Sequence, residues 1–151
     1  MQHIKRVEVI QRRRNGERNF QRQDLSGLDF SLADLSGLNL SFANLQGCNF
    51  NGTDLSRTNL EGANLQSCNM ESADLSQAQL NGANLRRAIL SYANLYLANL
   101  CRADLTCAQL VKTNLQYADA KGAEFQNANL TGANLTGTTL WGANLPRSLA
   151  S

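Results

Sequence analysis

Histidine is almost missing from this 151-residue chain: His3 is the only imidazole, and aromatic residues make up just 6%. No apolar run approaches the roughly 20 residues that a membrane-spanning helix requires. The first residues, Met1 to Arg14, carry charges throughout and lack the apolar stretch of about 7 to 15 residues of a secretory signal. Nothing is therefore expected to cross a membrane, and a cytoplasmic location is expected. The four cysteines, Cys48, Cys68, Cys101 and Cys107, form no CxxC pair and have no histidine partner at ligand spacing. Zinc and thioredoxin-type chemistry are left without support, and reduced thiols are expected.

What the chain does have is a repeat of period five. Every position divisible by five from Phe20 to Leu145 is apolar, mostly Leu, with Phe at 20, 30, 50 and 125, Met70 and one reduction to Ala120. Two residues earlier stands a small residue: Ala33, Ala43, Ala63, Ala73 and Ala83, with Cys48, Thr53, Thr58, Cys68, Thr113 and Thr138 as substitutes. Asn or Asp usually precedes the central residue. Ten of the eleven glycines fall two residues after it, Gly16 being the exception.

A helix cannot use this pattern, because residues five apart are rotated by roughly 140° and the leucines would circle the whole surface. In extended backbone the small residue and the leucine point the same way, while the Asn or Asp between them points outward. The chain must then turn within two residues, and glycine there supplies φ > 0 without steric cost. Stacked at roughly 4.8 Å, such segments enclose Leu columns flanked by Ala columns. Each buried Leu contributes about 1.5–3 kcal/mol.

Copies such as Ala33-Asp34-Leu35-Ser36-Gly37 and Ala133-Asn134-Leu135-Thr136-Gly137 resemble the pentapeptide repeat family, and the composition is similar to that of its cyanobacterial members. The resemblance covers Arg18 to Arg147. It implies an all-β fold: a right-handed quadrilateral parallel β-helix, a solenoid with four pentapeptides per coil. The repeats then make about six and a half coils, roughly 31 Å long. At a lag of twenty Cys48 lies under Cys68, Phe30 under Phe50, and Asp34 under Asp54 under Asp74.

Arg18 and Gln23 occupy inward positions of the first coil, where an unpaired polar group is costly, so that coil is expected to be frayed or capped. Ile4, Val7 and Ile10 stand at helical spacing before Asn15-Gly16, which reads as a helix stop. The expected organisation is a short N-terminal helical cap over 1–17, a pentapeptide-repeat β-helix over 18–147 and a C-terminal tail over 148–151. The tail is too short for a helical lid, which suggests an end-to-end homodimer through the C-terminal coil. Ala120 removes an interior Leu, and Phe125, one face on, is expected to refill the layer.

A filled solenoid has no pocket for converging groups, so no enzyme is expected and no catalytic, cofactor or metal residue is assigned. The stacked Asp34, Asp54 and Asp74 read as local backbone acceptors before they read as a cation ladder. Cys48 and Cys68 read as small core residues, although their spacing would allow a disulfide. Cys101 and Cys107 read as outward thiols on different faces. Arg12-Arg13-Arg14 reads as a solvated helix end rather than a site for nucleic acid or anionic lipid. One outward cluster rises above this background: Tyr92, Tyr96 and Leu97, with Tyr117 a coil above Leu97 and Arg86, Arg87 and Arg102 as a rim.

The leading expectation is a non-enzymatic rod-like scaffold or protein-interaction module whose partner is another protein. The alternative, implied by the family, is DNA mimicry directed at a topoisomerase such as gyrase. The net charge of the chain is +2, and from Arg18 to Arg147 nine basic residues face ten acidic ones, a near-neutral rod that does not suit a mimic of DNA.

Overall fold

A computed structural model describes residues 4–149. His3, the first three residues of the expected cap and the last two of the tail lie outside the described residues. From Asn19 onward the chain climbs as a solenoid. Asn19 pairs in parallel with Asn39, Asp34 with Asp54 and Asn94 with Asn114, each at a lag of twenty. With a turn every five residues, twenty residues make one four-sided coil. The first to fourth faces open on Phe20, Leu25, Phe30 and Leu35, and each central column continues at steps of twenty. In the third face the leucines begin only at Leu90, after Phe30, Phe50 and Met70.

The backbone hydrogen bonds explain the lag. Leu75 donates to Asn94 O at 2.7 Å and Asp74 donates to Thr53 O at 3.0 Å, so each coil is bonded to those above and below it. The sides meet through isolated bridges rather than runs of strand among the described residues, because two residues of every five are spent turning. Each turn closes with a bond such as Ala43 N to Leu40 O at 3.1 Å. Its third residue has positive φ, as in a type II turn. That conformation is taken by glycines, such as Gly37 at +68°, but equally by Arg57, Tyr92, Leu97 and Lys112 at +54° to +61°.

The outward Asn and Asp residues complete this backbone. The amide following each central residue has no place in the ladder, and the preceding side chain accepts from it: Ser41 N donates to Asn39 Oδ1 at 3.1 Å and Ser56 N to Asp54 Oδ1 at 2.9 Å. Asparagine can also donate to the coil before, as Asn114 Nδ2 does to Asn94 Oδ1 at 3.0 Å. This local bonding explains why Asx dominates the column.

The central residues are buried from Phe20 to Leu130, and Phe30 stacks on Phe50 with ring centroids 5.6 Å apart. Ala120 and Phe125 are both buried, so the layer around the missing leucine is closed to solvent. The small-residue column faces the preceding coil. Thr53 Oγ1 donates to Phe30 O at 2.8 Å and Thr113 Oγ1 to Leu90 O at 2.7 Å, which satisfies these buried hydroxyls.

Helix α1, Arg6–Arg14, lies before the first coil. It ends as Asn15-Gly16 predicts: Gly16, at φ +92°, donates to Arg13 O, and Glu17 N donates to Arg12 O, a Schellman closure. Its inward residue differs from the expected one. Val9 is buried and Val7 is 76% exposed, while Ile4 is buried from a position ahead of the helix. Arg18 does not point inward either, and Gln23 is only partly buried. Arg18 is exposed and its Nη1 donates to Arg13 O and Glu17 O, both at 3.0 Å, holding the end of the helix against the coil. Arg12 bonds Glu17 and lies 4.8 Å over the Phe20 ring, and Arg13 pairs with Asp34 at 2.8 Å. At the other end Leu135, Leu140 and Leu145 are only partly buried.

Candidate interaction surface

Outward side chains come from the Asx column, the residue after the centre and the corner residue. Tyr92 is the corner between the third and fourth faces, and Tyr96 and Leu97 end the fourth face. Tyr117 stands one coil above Leu97, and its ring meets that of Tyr96 edge-on with centroids 6.0 Å apart. Lys112, one coil above Tyr92, holds its Nζ 5.8 Å from that ring. Tyr92, Leu97 and Tyr117 are all about half exposed, at 55%, 46% and 53%.

The arginines are distributed differently. Arg86 pairs with Asp104 at 3.1 Å on the second face, so its charge is already engaged. Arg87 forms the corner after the second face and Arg102 the corner after the first, where its side chain approaches Gly122. Arg102 and Arg87 are the two corners that bound the second face and Arg86 lies on it, opposite the fourth face that bears the tyrosines, so the expected arginine rim does not form around them.

Sequence reasoning passed over Ile89, which the structure leaves 40% exposed in the Asx column, just before Tyr92. An isoleucine there has no oxygen to accept the Ser91 amide, so the position gives up the local hydrogen bond that its column otherwise provides. The signal was visible as an aliphatic residue in a polar column. Leu32, Phe42 and Trp141 were missed in the same way, at 82%, 45% and 81% exposure. Phe42 and Trp141 lie along a shallow groove of about 860 Å³ with Gly62, Gly82 and Gly122 in its wall.

The remaining candidates have structural partners. Asp34 Oδ1 accepts from Ser36 Oγ and Ser36 N, and Arg13 sits at its other oxygen. The Ser36 hydroxyl, the Ser36 amide and Arg13 together hold this carboxyl below the ordinary carboxylate value against the opposing effect of burial. Asp54 and Asp74 accept from the amides of Ser56 and Ser76 at 2.9 Å. Among the described residues no group of three His, Cys, Asp or Glu is arranged to hold a metal ion.

Cys48 and Cys68 are free and buried, and their thiols donate to Leu25 O at 3.0 Å and Leu45 O at 2.9 Å. Burial pushes the two thiols up to about 11 and about 12. Cys101 and Cys107 are partly exposed. In the folded protein at pH 8, a thiol reagent is expected to modify Cys101 and Cys107 and to reach Cys48 and Cys68 at least about 100-fold more slowly. Mass spectrometry of peptides after timed alkylation checks this, and labelling of all four at one rate would contradict the buried assignment.

These geometries define a parallel solenoid of five-residue sides with an outward aromatic corner. The chain belongs to the pentapeptide repeat family: the family model "Pentapeptide repeats" matches in segments that together run from residue 19 to 148. A comparison with curated proteins returns no match. Among solved structures, a pentapeptide repeat protein of the Arabidopsis thaliana thylakoid lumen is 31% identical over 68% of each chain, with TM-score 0.49. A pentapeptide repeat protein from Nostoc is 28% identical over 92% of this chain and 98% of its own, with TM-score 0.48. QnrB1, a plasmid-mediated fluoroquinolone resistance protein, is 26% identical over 89% of this chain and 88% of its own, with TM-score 0.42. No helix among the described residues is long and apolar enough to cross a membrane.

Proposed function

We propose that this chain is a non-enzymatic, rod-like interaction module that docks another protein on the side bounded by Tyr92, Tyr96, Leu97 and Tyr117. The observation that carries this reading is the clustering of exposed apolar residues in columns that are otherwise polar, with Ile89 added at the expense of a local hydrogen bond. The interior requires no large aromatics there, whereas interface cores are enriched in them. Arg86, Arg87 and Arg102 belong to the opposite side of the rod and lie outside this docking surface.

The same reading includes a right-handed winding, a cap over 1–17, repeats over 18–147 and a tail over 148–151. A cytoplasmic setting suits four free cysteines. Two copies would stack through the last coil, where Leu135, Leu140 and Leu145 are incompletely covered. Gyrase binding by DNA mimicry is the weaker reading, because a rod with nine basic and ten acidic residues lacks the required negative field.

The test is capture from lysate of the source organism by the immobilised protein and by a Tyr92→Ser, Tyr96→Ser, Tyr117→Ser variant. A partner retained by the first and lost by the second, at least about tenfold in recovered amount, is the expected outcome. A partner captured equally by both would refute the aromatic side as the docking surface.

A further inference from the structure

The charge of the chain is unevenly placed. Before Arg18 stand five basic and two acidic residues, a balance of +3, while the remainder carries nine basic and ten acidic residues, a balance of −1. Folding engages only part of the positive end. Arg12 pairs with Glu8 and Glu17, and Arg13 with Asp34. Arg6 and Arg14 make no ion pair among the described residues, Arg6 acting on Asp29 only at longer range.

Both of these arginines line a cleft of about 470 Å³ between α1 and the corner that opens the fourth face. Its apolar wall is formed by Val7 and Ile10 from the helix and Leu32 from the corner. Val7 and Leu32 are 76% and 82% exposed, so neither contributes much to the core. The Leu32 side chain rests against Gly52, where an added Cβ would stand 2.7 Å from its Cδ2. The result is a short apolar strip bordered by guanidinium groups, the one carboxylate of its lining, that of Asp34, being paired with Arg13.

Arg6 and Arg14 are eight residues apart on one helix, about 12 Å along its axis. In an extended peptide, the first, third and fifth side chains point the same way and span about 13 Å. We propose that this cleft binds an extended acidic peptide segment of a partner protein. Carboxylates at its first and fifth positions meet Arg6 and Arg14, and a large apolar side chain at its third lies against Val7, Ile10 and Leu32. The strip has room for one side chain between charged ends, which suits an acid–apolar–acid sequence better than a long acyl chain. This site shares the side that bears the tyrosines but lies three coils below Tyr92, so the two readings can fail independently.

The test titrates the ¹⁵N-labelled full chain with the end-blocked peptide Ser-Glu-Ser-Leu-Ser-Glu-Ser. Amide shifts confined to α1 and Leu32–Asp34, with a dissociation constant below about 1 mM, are expected. Arg6→Gln with Arg14→Gln, and separately Leu32→Ser, should each weaken binding at least about fivefold. Leu32 is exposed, and an otherwise unchanged spectrum would show that its variant folds. The tyrosine triple variant should bind the peptide as the unaltered chain does. Shifts elsewhere, no binding, or equal affinity in the variants would overturn the proposal. Sedimentation with phosphatidylserine-containing vesicles that depends on Arg6 and Arg14 but not on Leu32 would overturn it in favour of a membrane surface.

Discussion

Truncating Leu75 to alanine is expected to lower the free energy of unfolding by about 2–5 kcal/mol. Leu75 is fully buried in the middle of the fourth-face column, with Leu55 a coil below and Leu95 a coil above. Its backbone is fixed from both sides, by its own bond to Asn94 O and by the bond of Leu55 N to Asp74 O. The surrounding coils therefore have little freedom to collapse into the space left behind. The same truncation of Leu140, partly covered in the last coil, should lose roughly half as much or less. Urea unfolding of both variants measures the difference. Equal losses would mean that the interior is not a stack of closed layers.

The second large effect comes from a corner. Gly62→Ala is expected to cost about 2–4 kcal/mol, against about 1 kcal/mol for Gly37→Ala. Both glycines have positive φ, +61° and +68°, so both substitutions introduce backbone strain. An added Cβ at Gly37 meets nothing within 4 Å, whereas at Gly62 it runs into the Phe42 ring of the coil below. Combining Gly62→Ala with Phe42→Ala should return the loss to about that of Gly37→Ala, because only the collision is removed. Gly137 stands in the same relation to Tyr117. Thermal or urea denaturation reads all three variants. No difference between Gly37→Ala and Gly62→Ala would contradict the stacking of bulky corners over glycine.

The fold was legible where one physical demand acts on every copy. The Leu and small-residue columns follow from packing in a narrow interior, and the Asx column from an amide that the ladder leaves unpaired. The shape of the corner was less legible. Glycine announced it at ten positions, but Arg57, Tyr92 and Lys112 adopt the same conformation because pairing with neighbouring coils over-determines the backbone there. The exchange of Val7 for Val9 had a similar origin: a nine-residue helix with few apolar residues leaves its phase open until Ile4 and the first coil are in place.

The surface was partly legible. Tyr96 and Tyr117 could be brought together by adding twenty to a position and allowing for the neighbouring column, and they do meet. Arg86 could not be placed in the same way, since its Asp104 partner lies eighteen residues away on the next coil, in a different column. The cleft beside α1 was invisible in the sequence because it joins a helix to a corner with no shared period.

Every neighbour relation on the rod depends on twenty residues making one coil. Scalar couplings across hydrogen bonds in the ¹⁵N,¹³C-labelled protein test that number directly. A coupling from the Leu75 amide nitrogen to the Asn94 carbonyl carbon and one from Asp74 to Thr53 are expected. Couplings displaced by five residues, from Leu75 to Ile89 as in a three-sided coil or to Asn99 as in a five-sided one, would contradict it.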